Sequence, residues 1–271
     1  MTKDERTLLE EKYWGKRSAA YEEDRERLAL GEPLAYVIGW QPFLGLKIYL
    51  DSKPLIPRPE TEWWTELALH EAQRRSFEDV SQRDGARHSK FSAENYARPR
   101  ADAAVPLTFL DLCSGSGAIG CAALAQLPQA RVFFGEIDEA HRDTILKNIR
   151  KNGLDQSRAD VRIGDLLEPF ASLKFDIIAA NPPYIPSGRA LSPSVSAHEP
   201  KGALYAGGDG LAVIRRIARE LPRYLAPGGM TWIECDSEYA ETAGSLFASQ
   251  GLQFEIRTDQ YGRPRIIRVT L

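Results

Sequence analysis

Four consecutive residues, Asn181-Pro182-Pro183-Tyr184, have the chemistry needed to hold a planar amide, and they directly follow the apolar run 175–180. The two prolines lack a backbone N–H, so the carbonyl oxygens of this turn stay free to accept hydrogen bonds. The Asn181 side chain offers an acceptor, and the Tyr184 ring offers a flat π face. An NH2 group could donate to the Asn181 oxygen and the Pro182 carbonyl. Its lone pair would then face an electrophilic methyl group, while Tyr184 stabilises the developing positive charge.

A run of small residues follows an earlier apolar stretch and precedes a helical pattern. Small residues let the backbone turn sharply and approach a ligand closely, and amides at a helix start point toward a carboxylate or phosphate. By itself the run also fits a plain tight turn or a dinucleotide loop. An acid two positions before the first small residue is not the usual dinucleotide fingerprint. The run is Asp111-Leu-Cys113-Ser114-Gly115-Ser116-Gly117-Ala-Ile-Gly120.

Three further acids end or follow predicted strands. Glu136 lies about 20 residues beyond the small-residue run, where a carboxylate can accept both hydroxyls of a ribose. Asp138 is expected to be the N-cap of the next helix. Asp165 follows the third predicted strand and fits either an adenine contact or an ordinary loop aspartate.

These motifs together resemble a known enzyme family. The run beginning at Asp111 resembles the D-x-G-x-G-x-G loop of class I S-adenosylmethionine-dependent methyltransferases. With the 181–184 turn added, the chain resembles the protein-(glutamine-N5) methyltransferases of the HemK/PrmC family, which modify peptide-chain release factors. The resemblance continues through residues 32–62, including Pro57-Arg-Pro-Glu-Thr61, through 199–211 and at 227–229. It covers residues 32–271 apart from one insertion.

The resemblance implies S-adenosyl-L-methionine as the cofactor, a release factor as the protein substrate and the glutamine of its Gly-Gly-Gln loop as the methylated residue. It implies that Asn181, Pro182, Pro183 and Tyr184 surround that glutamine. The residues it places at the cofactor are Asp111, Cys113, Ser114, Gly115, Ser116 and Gly117 near the methionine part, Glu136 at the ribose, Asp165 and Leu166 at the adenine, and Asn181.

The chain departs from the family pattern at three places. Cys113 stands where glycine is common, so we expect a negative φ there. Leu166 stands where an aromatic residue is frequent, which predicts weaker cofactor binding. The N-terminal region is shorter than the family's usual helical domain, which helps to dock the release factor.

Three other functions share part of this pattern. Methylation of an exocyclic amine of a nucleobase in DNA or rRNA uses the same chemistry, but it needs an extruded base and a basic cleft. The chain has 35 Lys and Arg against 38 Asp and Glu, a net charge of −3, which argues against it. A ribosomal-protein glutamine methyltransferase is closer, but characteristically differs at 57–61. A non-enzymatic binding protein is disfavoured because Asn181 and the glycines are present.

The elements that must position these residues are alternating strands and helices. That alternation predicts a class I methyltransferase-type, Rossmann-like α/β fold, with a mostly parallel seven-stranded sheet and helices on both faces. Ligands then lie at the carboxyl ends of the strands. Asp209 is the expected N-cap of a helix that starts near Leu211. The predicted strands are Leu107–Leu112, Arg131–Ile137, Ala159–Ile163, Phe175–Ala180, Met230–Cys235, Gln253–Arg257 and Ile266–Thr270.

The chain divides into four predicted regions. Residues 1–32 form a short helical segment, and 33–73 form a β-hairpin followed by a helix that starts near Pro59. Residues 74–105 have few aliphatic side chains and no period, which favours a flexible insertion or linker. Residues 106–271 form the methyltransferase domain.

Composition limits the remaining classes. Hydrophobic residues are 43% and charged residues 27% of 271, as in a globular chain. Three cysteines without a C-x-x-C pair and four scattered histidines predict no metal site and no disulfide. The longest uncharged stretch, 112–130, is interrupted by polar residues and glycines, and the N-terminus mixes both charge signs. We therefore expect a cytoplasmic monomer without membrane or stable nucleic-acid partners.

Overall fold

The structure is a computed structural model that describes residues 1–85 and 106–271, and side chains through residue 74 and from 106 onward. The N-terminal segment contains helices α1 (Lys3–Tyr13), α2 (Ala19–Ala29) and α3 (Leu34–Ile38). They pack around Leu8, Tyr21 and Val37. The predicted N-terminal helical segment is confirmed.

A hairpin and a long helix follow. Strands β1 (Trp40–Phe43) and β2 (Leu46–Tyr49) are antiparallel, joined by Leu44 and Gly45 at φ 46° and 79°. Two positive φ values suit a two-residue turn whose twist matches the strands. The predicted hairpin is thus confirmed. Helix α4 (Pro59–Gly85) begins at the predicted proline, with Glu60 and Glu62 in its first turn.

Helix α4 extends into the region that was predicted to be a flexible insertion or linker. Residues 74–85 continue the helix, although their side chains show no apolar period. A helix already nucleated over 59–73 can extend by one hydrogen bond per added residue, which needs no second apolar face. The rest of the predicted linker, 86–105, lies outside the described residues.

The main sheet holds seven strands within the described residues: β3 (Leu107–Leu112), β4 (Ala130–Glu136), β5 (Ala159–Ile163), β6 (Phe175–Ala180), β7 (Leu225–Glu234), β8 (Gln253–Thr258) and β9 (Pro264–Thr270). Their order is β5-β4-β3-β6-β7-β9-β8. The first five in this order run parallel, and β9 is antiparallel to both of its neighbours. The predicted mostly parallel, seven-stranded sheet is confirmed.

Helices cover both faces of this sheet. Strand residues alternate between two apolar clusters: Phe109 packs with α4 and helix α5 (Ala118–Gln126), and its neighbour Leu110 packs on the other face with helices α8 (Ala212–Glu220) and α9 (Ala240–Ala248). Helix α6 (Arg142–Lys151) joins the first face, and the short helix α7 (Pro193–His198) follows β6. The parallel strands therefore have two buried faces, and their carboxyl ends form one common edge.

One helix start differs from the prediction. Helix α8 begins at Ala212 with Leu211 as its N-cap, which makes no side-chain cap hydrogen bond. Asp209 instead accepts a hydrogen bond from the Leu211 amide two residues later, at 3.0 Å. The predicted N-cap is therefore wrong, because this aspartate closes a local turn before the helix. Within residues 1–85 and 106–271, no helix has the length and apolar character needed to cross a membrane.

Candidate active site

The small-residue loop leaves β3 through an unusual backbone conformation. Cys113 has φ 61°, and Gly115 and Gly117 have φ 54° and 77°. The predicted negative φ at Cys113 is therefore wrong. The Ser114 amide donates to the Gly135 carbonyl at 3.0 Å, and its hydroxyl donates to the Asp111 carbonyl at 2.7 Å. These two bonds require the chain to reverse directly after the strand, at a cost of about 1–3 kcal/mol for a left-handed residue other than glycine.

Asp111 lies beneath the loop and is fully buried. Its Oδ2 accepts the Gly120 amide at 2.8 Å, which ties the start of α5 to the end of β3. Its Oδ1 has no hydrogen-bond partner among the described residues. Burial, with a smaller contribution from the charge on Glu136, raises the pKa of Asp111 well above its usual range.

Glu136 ends β4 and holds the loop from the other side. Its Oε2 accepts the Gly115 amide at 2.7 Å, and its Oε1 accepts the amides of Ile137 and Asp138, each at 2.9 Å. A carboxylate oxygen can accept two hydrogen bonds, so Oε2 retains capacity for a hydroxyl group of a ligand. This residue therefore fits a ribose-binding role. Asp138 accepts the Ala140 amide as the N-cap of a 3-10 turn that leads into α6, and its predicted capping role is confirmed.

The third predicted position lies one strand further along the same edge. The Gly164 amide donates to the Glu136 carbonyl at 2.8 Å, so the turn after β5 is adjacent to Glu136. Asp165 accepts a hydrogen bond from Arg216 of α8 at 2.8 Å. Leu166 is buried, has φ 48° and packs in the second apolar cluster. The structure thus brings these two residues to the edge that carries Glu136.

The Asn181–Tyr184 turn starts beside the small-residue loop. In the sheet register Leu112 is paired with Ala180, so Cys113 and Asn181 leave neighbouring parallel strands at the same level. Adjacent strands lie about 4.8 Å apart. The structure therefore places the start of the turn next to the start of the loop.

The turn opens on a cavity of about 270 Å³. Arg58 in its wall is paired with the buried carboxylate of Glu199, which also accepts the Ile56 amide at 3.2 Å. The remaining wall is largely aliphatic. The lining residues are Leu55, Arg58, Asn181, Tyr184, Ile185, Leu191, Val195, Ala203 and Leu204.

Thr61, Trp64 and Glu234, which sequence reasoning did not assign to the site, form a hydrogen-bond network that contacts the Asn181–Tyr184 turn at Asn181. The Asn181 Nδ2 donates to the Thr61 hydroxyl at 3.1 Å, and that hydroxyl donates to Glu234 Oε2 at 2.7 Å. The Trp64 indole donates to the same oxygen at 2.8 Å. Thr61 lies in the quoted 57–61 stretch, and Glu234 is an acid at the carboxyl end of a predicted strand, which is the signal that could have identified them.

Tyr184 is held by the same carboxylate. Its hydroxyl donates to Glu234 Oε1 at 2.8 Å and accepts a hydrogen bond from Arg265 at 3.3 Å. Burial, followed by the charge on Glu234, raises the pKa of Tyr184 well above its usual range. The phenol is therefore neutral and serves as a positioned ring and hydroxyl. Across residues 1–85 and 106–271, no group of three or more His, Cys, Asp or Glu could hold a metal ion.

Comparison with known proteins identifies the family of this chain. The model of the methyltransferase small domain matches residues 102–219. A release factor glutamine methyltransferase from Deinococcus radiodurans is 32% identical over 244 residues, which cover 90% of this chain and 76% of that protein. Its counterpart from Bordetella pertussis is 35% identical over 251 residues, covering 92% and 81%. The chain belongs to the release factor glutamine methyltransferase family.

Family membership confirms the resemblance inferred from the motifs. A further relative with the same name, from Geobacter sulfurreducens, is 35% identical over 83% of this chain and 68% of its own length. Among solved structures, a methyltransferase from Pyrococcus furiosus aligns with 60% of this chain and 74% of its own, at 16% identity and a TM-score of 0.47.

Proposed function

We propose that this protein transfers a methyl group from S-adenosyl-L-methionine to the side-chain amide nitrogen of a release-factor glutamine, the glutamine of the Gly-Gly-Gln loop. Relatives that carry this name at 32–35% identity support the proposal. The observation that carries it is local: the Asn181–Tyr184 turn leaves its strand beside the small-residue loop and opens on a small cavity.

The residues present fit the cofactor. The loop 113–117 would hold the methionine part, Glu136 the ribose, and Asp165 with Leu166 the adenine. The support for this assignment is the spare acceptor capacity of Glu136 Oε2 and the adjacency of the three strand ends. When bound, S-adenosyl-L-methionine supplies an electrophilic methyl group on its sulfonium sulfur.

The cavity suits one amide side chain. Its volume of about 270 Å³ lies below the range of about 300–1,000 Å³ that is usual for drug-sized ligands. Aliphatic walls can pack against the methylene groups of glutamine, and Asn181 in the same lining offers its amide a polar partner. A small, largely apolar cavity of this kind favours a single side chain over an extruded nucleotide.

The chemistry follows from positioning. The Asn181 side-chain oxygen and the Pro182 carbonyl accept the two amide hydrogens, so that the nitrogen lone pair faces the methyl group. With S-adenosyl-L-methionine bound, the nitrogen would take the methyl group from the sulfonium sulfur, which would leave as a neutral thioether, and would release one proton to solvent or to a backbone carbonyl. The 181–184 turn contains no general base, so we attribute most of the acceleration to holding the reacting atoms in line.

Labelled S-adenosyl-L-methionine tests the substrate class. The protein is incubated in parallel with a release factor, duplex DNA and a ribosomal protein, and mass spectrometry locates the methylated atom. We expect label only on the glutamine of the release factor, and none when that glutamine is changed to alanine. Label on DNA or on the ribosomal protein, with none on the release factor, would overturn the proposal.

Asn181→Ala tests the assigned role of the carboxamide. Loss of one preorganised polar contact in an active site costs about 10²–10³ in kcat, and we expect a loss of at least that size. The dissociation constant of S-adenosyl-L-methionine, measured by calorimetry, should stay within about twofold, because the loop and Glu136 remain. Equal losses in turnover and cofactor binding would contradict this role.

A further inference from the structure

We propose that Thr61 and Glu234 are positioning residues that determine which way the Asn181 amide faces, so that its oxygen is directed toward the substrate. The inference rests on the proposed function, and it adds two residues outside the 181–184 turn. It is drawn from a chain of hydrogen bonds that connects helix α4, the end of β7 and the end of β6.

This chain of hydrogen bonds begins at the buried carboxylate of Glu234, which also accepts a hydrogen bond from Trp64. Glu234 is 1% exposed. An indole N–H can only donate, so Trp64, at 2.8 Å, requires Glu234 Oε2 to act as an acceptor. The same oxygen also accepts the Thr61 hydroxyl proton, at 2.7 Å.

The direction of the Thr61 hydrogen bond determines which end of the Asn181 amide can face Thr61. A hydroxyl group has one proton, and Thr61 gives it to Glu234, so only its lone pairs remain for other neighbours. At 3.1 Å from Asn181, such an oxygen can pair with the NH2 end of the amide but not with the carbonyl end. A reversed amide would bring two acceptors together in a partly buried place, so that both would lose a hydrogen bond.

With the NH2 group of Asn181 facing Thr61, the carbonyl oxygen lies on the other side of the amide. This Oδ1 makes no hydrogen bond within the part of the chain that the structure describes, and Asn181 lines the cavity. The available acceptor is therefore the group that a substrate NH2 requires. An amide without this support could flip, and half of its orientations would present a donor to the substrate NH2.

Glu234 also positions the second polar residue of the turn. Its Oε1 accepts the Tyr184 hydroxyl at 2.8 Å, so one carboxylate contacts Tyr184 directly and Asn181 through Thr61. Residues 180 and 233 are paired in the register of β6 and β7, which places Glu234 directly beside Asn181 along the sheet edge. The arrangement thus depends on the strand order as well as on the turn sequence.

Two matched pairs of variants isolate the Thr61 hydroxyl. Thr61→Val keeps the shape of threonine without the hydroxyl, and Thr61→Ser compared with Thr61→Ala differs only in that group. Loss of one net hydrogen bond of orientation corresponds to about tenfold in rate. We expect kcat for release-factor methylation to fall by about that factor in the Val and Ala variants, and to be restored largely by Ser.

The same helix provides a control. Thr65 is also fully buried, but its hydroxyl donates within α4 to the Thr61 carbonyl at 2.6 Å. We expect Thr65→Val to retain the wild-type kcat. In all four variants, Thr61→Val, Thr61→Ala, Thr61→Ser and Thr65→Val, two constants should stay within about twofold of wild type. These are the KM for the release factor and the dissociation constant of S-adenosyl-L-methionine, because neither Thr61 nor Thr65 lines the cavity.

The outcomes separate this inference from the proposed function. Wild-type protein that methylates the glutamine, together with Val and Ala variants that keep their kcat, overturns the positioning role alone. A loss that Ser fails to restore, or that appears equally in Thr65→Val, also overturns it. Wild-type protein that leaves the glutamine unmethylated overturns the proposed function instead. Thermal unfolding of each variant establishes that it is folded, and the Ser–Ala pair retains the test if Val unfolds.

Discussion

Gly120 is the position in the small-residue run 111–120 where one added methyl group should clash most severely with the core. It lies in the first turn of α5, and its amide donates to Asp111. A Cβ atom at this position would lie 2.2 Å from Cε1 and 2.7 Å from Cζ of Phe134, a ring that is itself fully buried. The ring would have to move by about 1.3 Å to reach an ordinary carbon–carbon contact of about 3.5 Å.

The size of the effect follows from two opposing contributions. Overpacking a well-filled core costs about 1–3 kcal/mol, and a contact as short as this belongs at the upper end. Replacing glycine by alanine inside a helix returns about 1 kcal/mol. We therefore expect Gly120→Ala to lower the free energy of unfolding by about 2 kcal/mol. In chains of this size that corresponds to about 4–8 °C in Tm.

Calorimetry or circular dichroism during heating measures this shift. Gly202→Ala is the matched control, because its Cβ would meet nothing within 4 Å and its φ is not positive. Phe134→Leu introduced with Gly120→Ala should recover part of the lost stability, since it removes the ring atoms that clash. A Gly120→Ala protein as stable as the Gly202→Ala control, or one that the Phe134 change fails to improve, would refute the packing argument.

Three other perturbations test the loop and the core. Glu136→Ala should weaken S-adenosyl-L-methionine binding by about tenfold or more in calorimetry, because it removes three backbone hydrogen bonds together with the proposed ribose acceptor; an unchanged dissociation constant would contradict the proposed role of Glu136. The pKa of Asp111 is raised by burial above about 3.9, so the folded state holds this proton more tightly, and the free energy of unfolding falls as pH rises from about 4 through the folded-state pKa. Asp111→Asn should lose this fall in denaturant titrations from about pH 5 to about pH 8, and an equal slope in both proteins would contradict it. Burial raises the pKa of Cys235 to about 12, so iodoacetamide should modify this thiol only after unfolding, and rapid labelling of the folded protein would contradict the burial.

The sheet was predictable because its central strands are buried on both faces. The bounds of β3, β5 and β6 agree with the predicted ones. Strands β3 and β6 are central and mostly apolar, whereas β5 lies at the sheet edge and its apolar residues alternate with charged ones. Strand β7 begins five residues before the predicted Met230, at Leu225. The intervening Pro227-Gly-Gly229 is typical of a turn, but here it forms an irregular stretch beside Phe175, where the register of β6 and β7 shifts.

The small-residue run and the acids at the strand ends could be recognised from the sequence. The contacts that support the Asn181–Tyr184 turn could not be predicted from it. The residues of a motif are close in sequence, so the sequence alone suggests which of them contact a ligand. Thr61 and Glu234 are 173 positions apart, and only the sheet order and the docking of α4 bring them within 2.7 Å. The positive φ of Cys113 was also unpredictable, because it results from the Ser114 bond to the neighbouring strand.

The contacts of Thr61 bear on what counts as the methyltransferase unit. Residues of the hairpin and α4, including Phe43, Ile48 and Trp64, share one apolar cluster with Phe109 and Phe134 of the sheet. The β2 backbone is fastened to α6 by reciprocal hydrogen bonds with the side chain of Asn148. The predicted region 106–271 would by itself lack one wall of its core and the hydroxyl that orients Asn181. The segment before residue 74 therefore contributes side chains to the core of the sheet and, through Thr61, a hydrogen bond to Asn181.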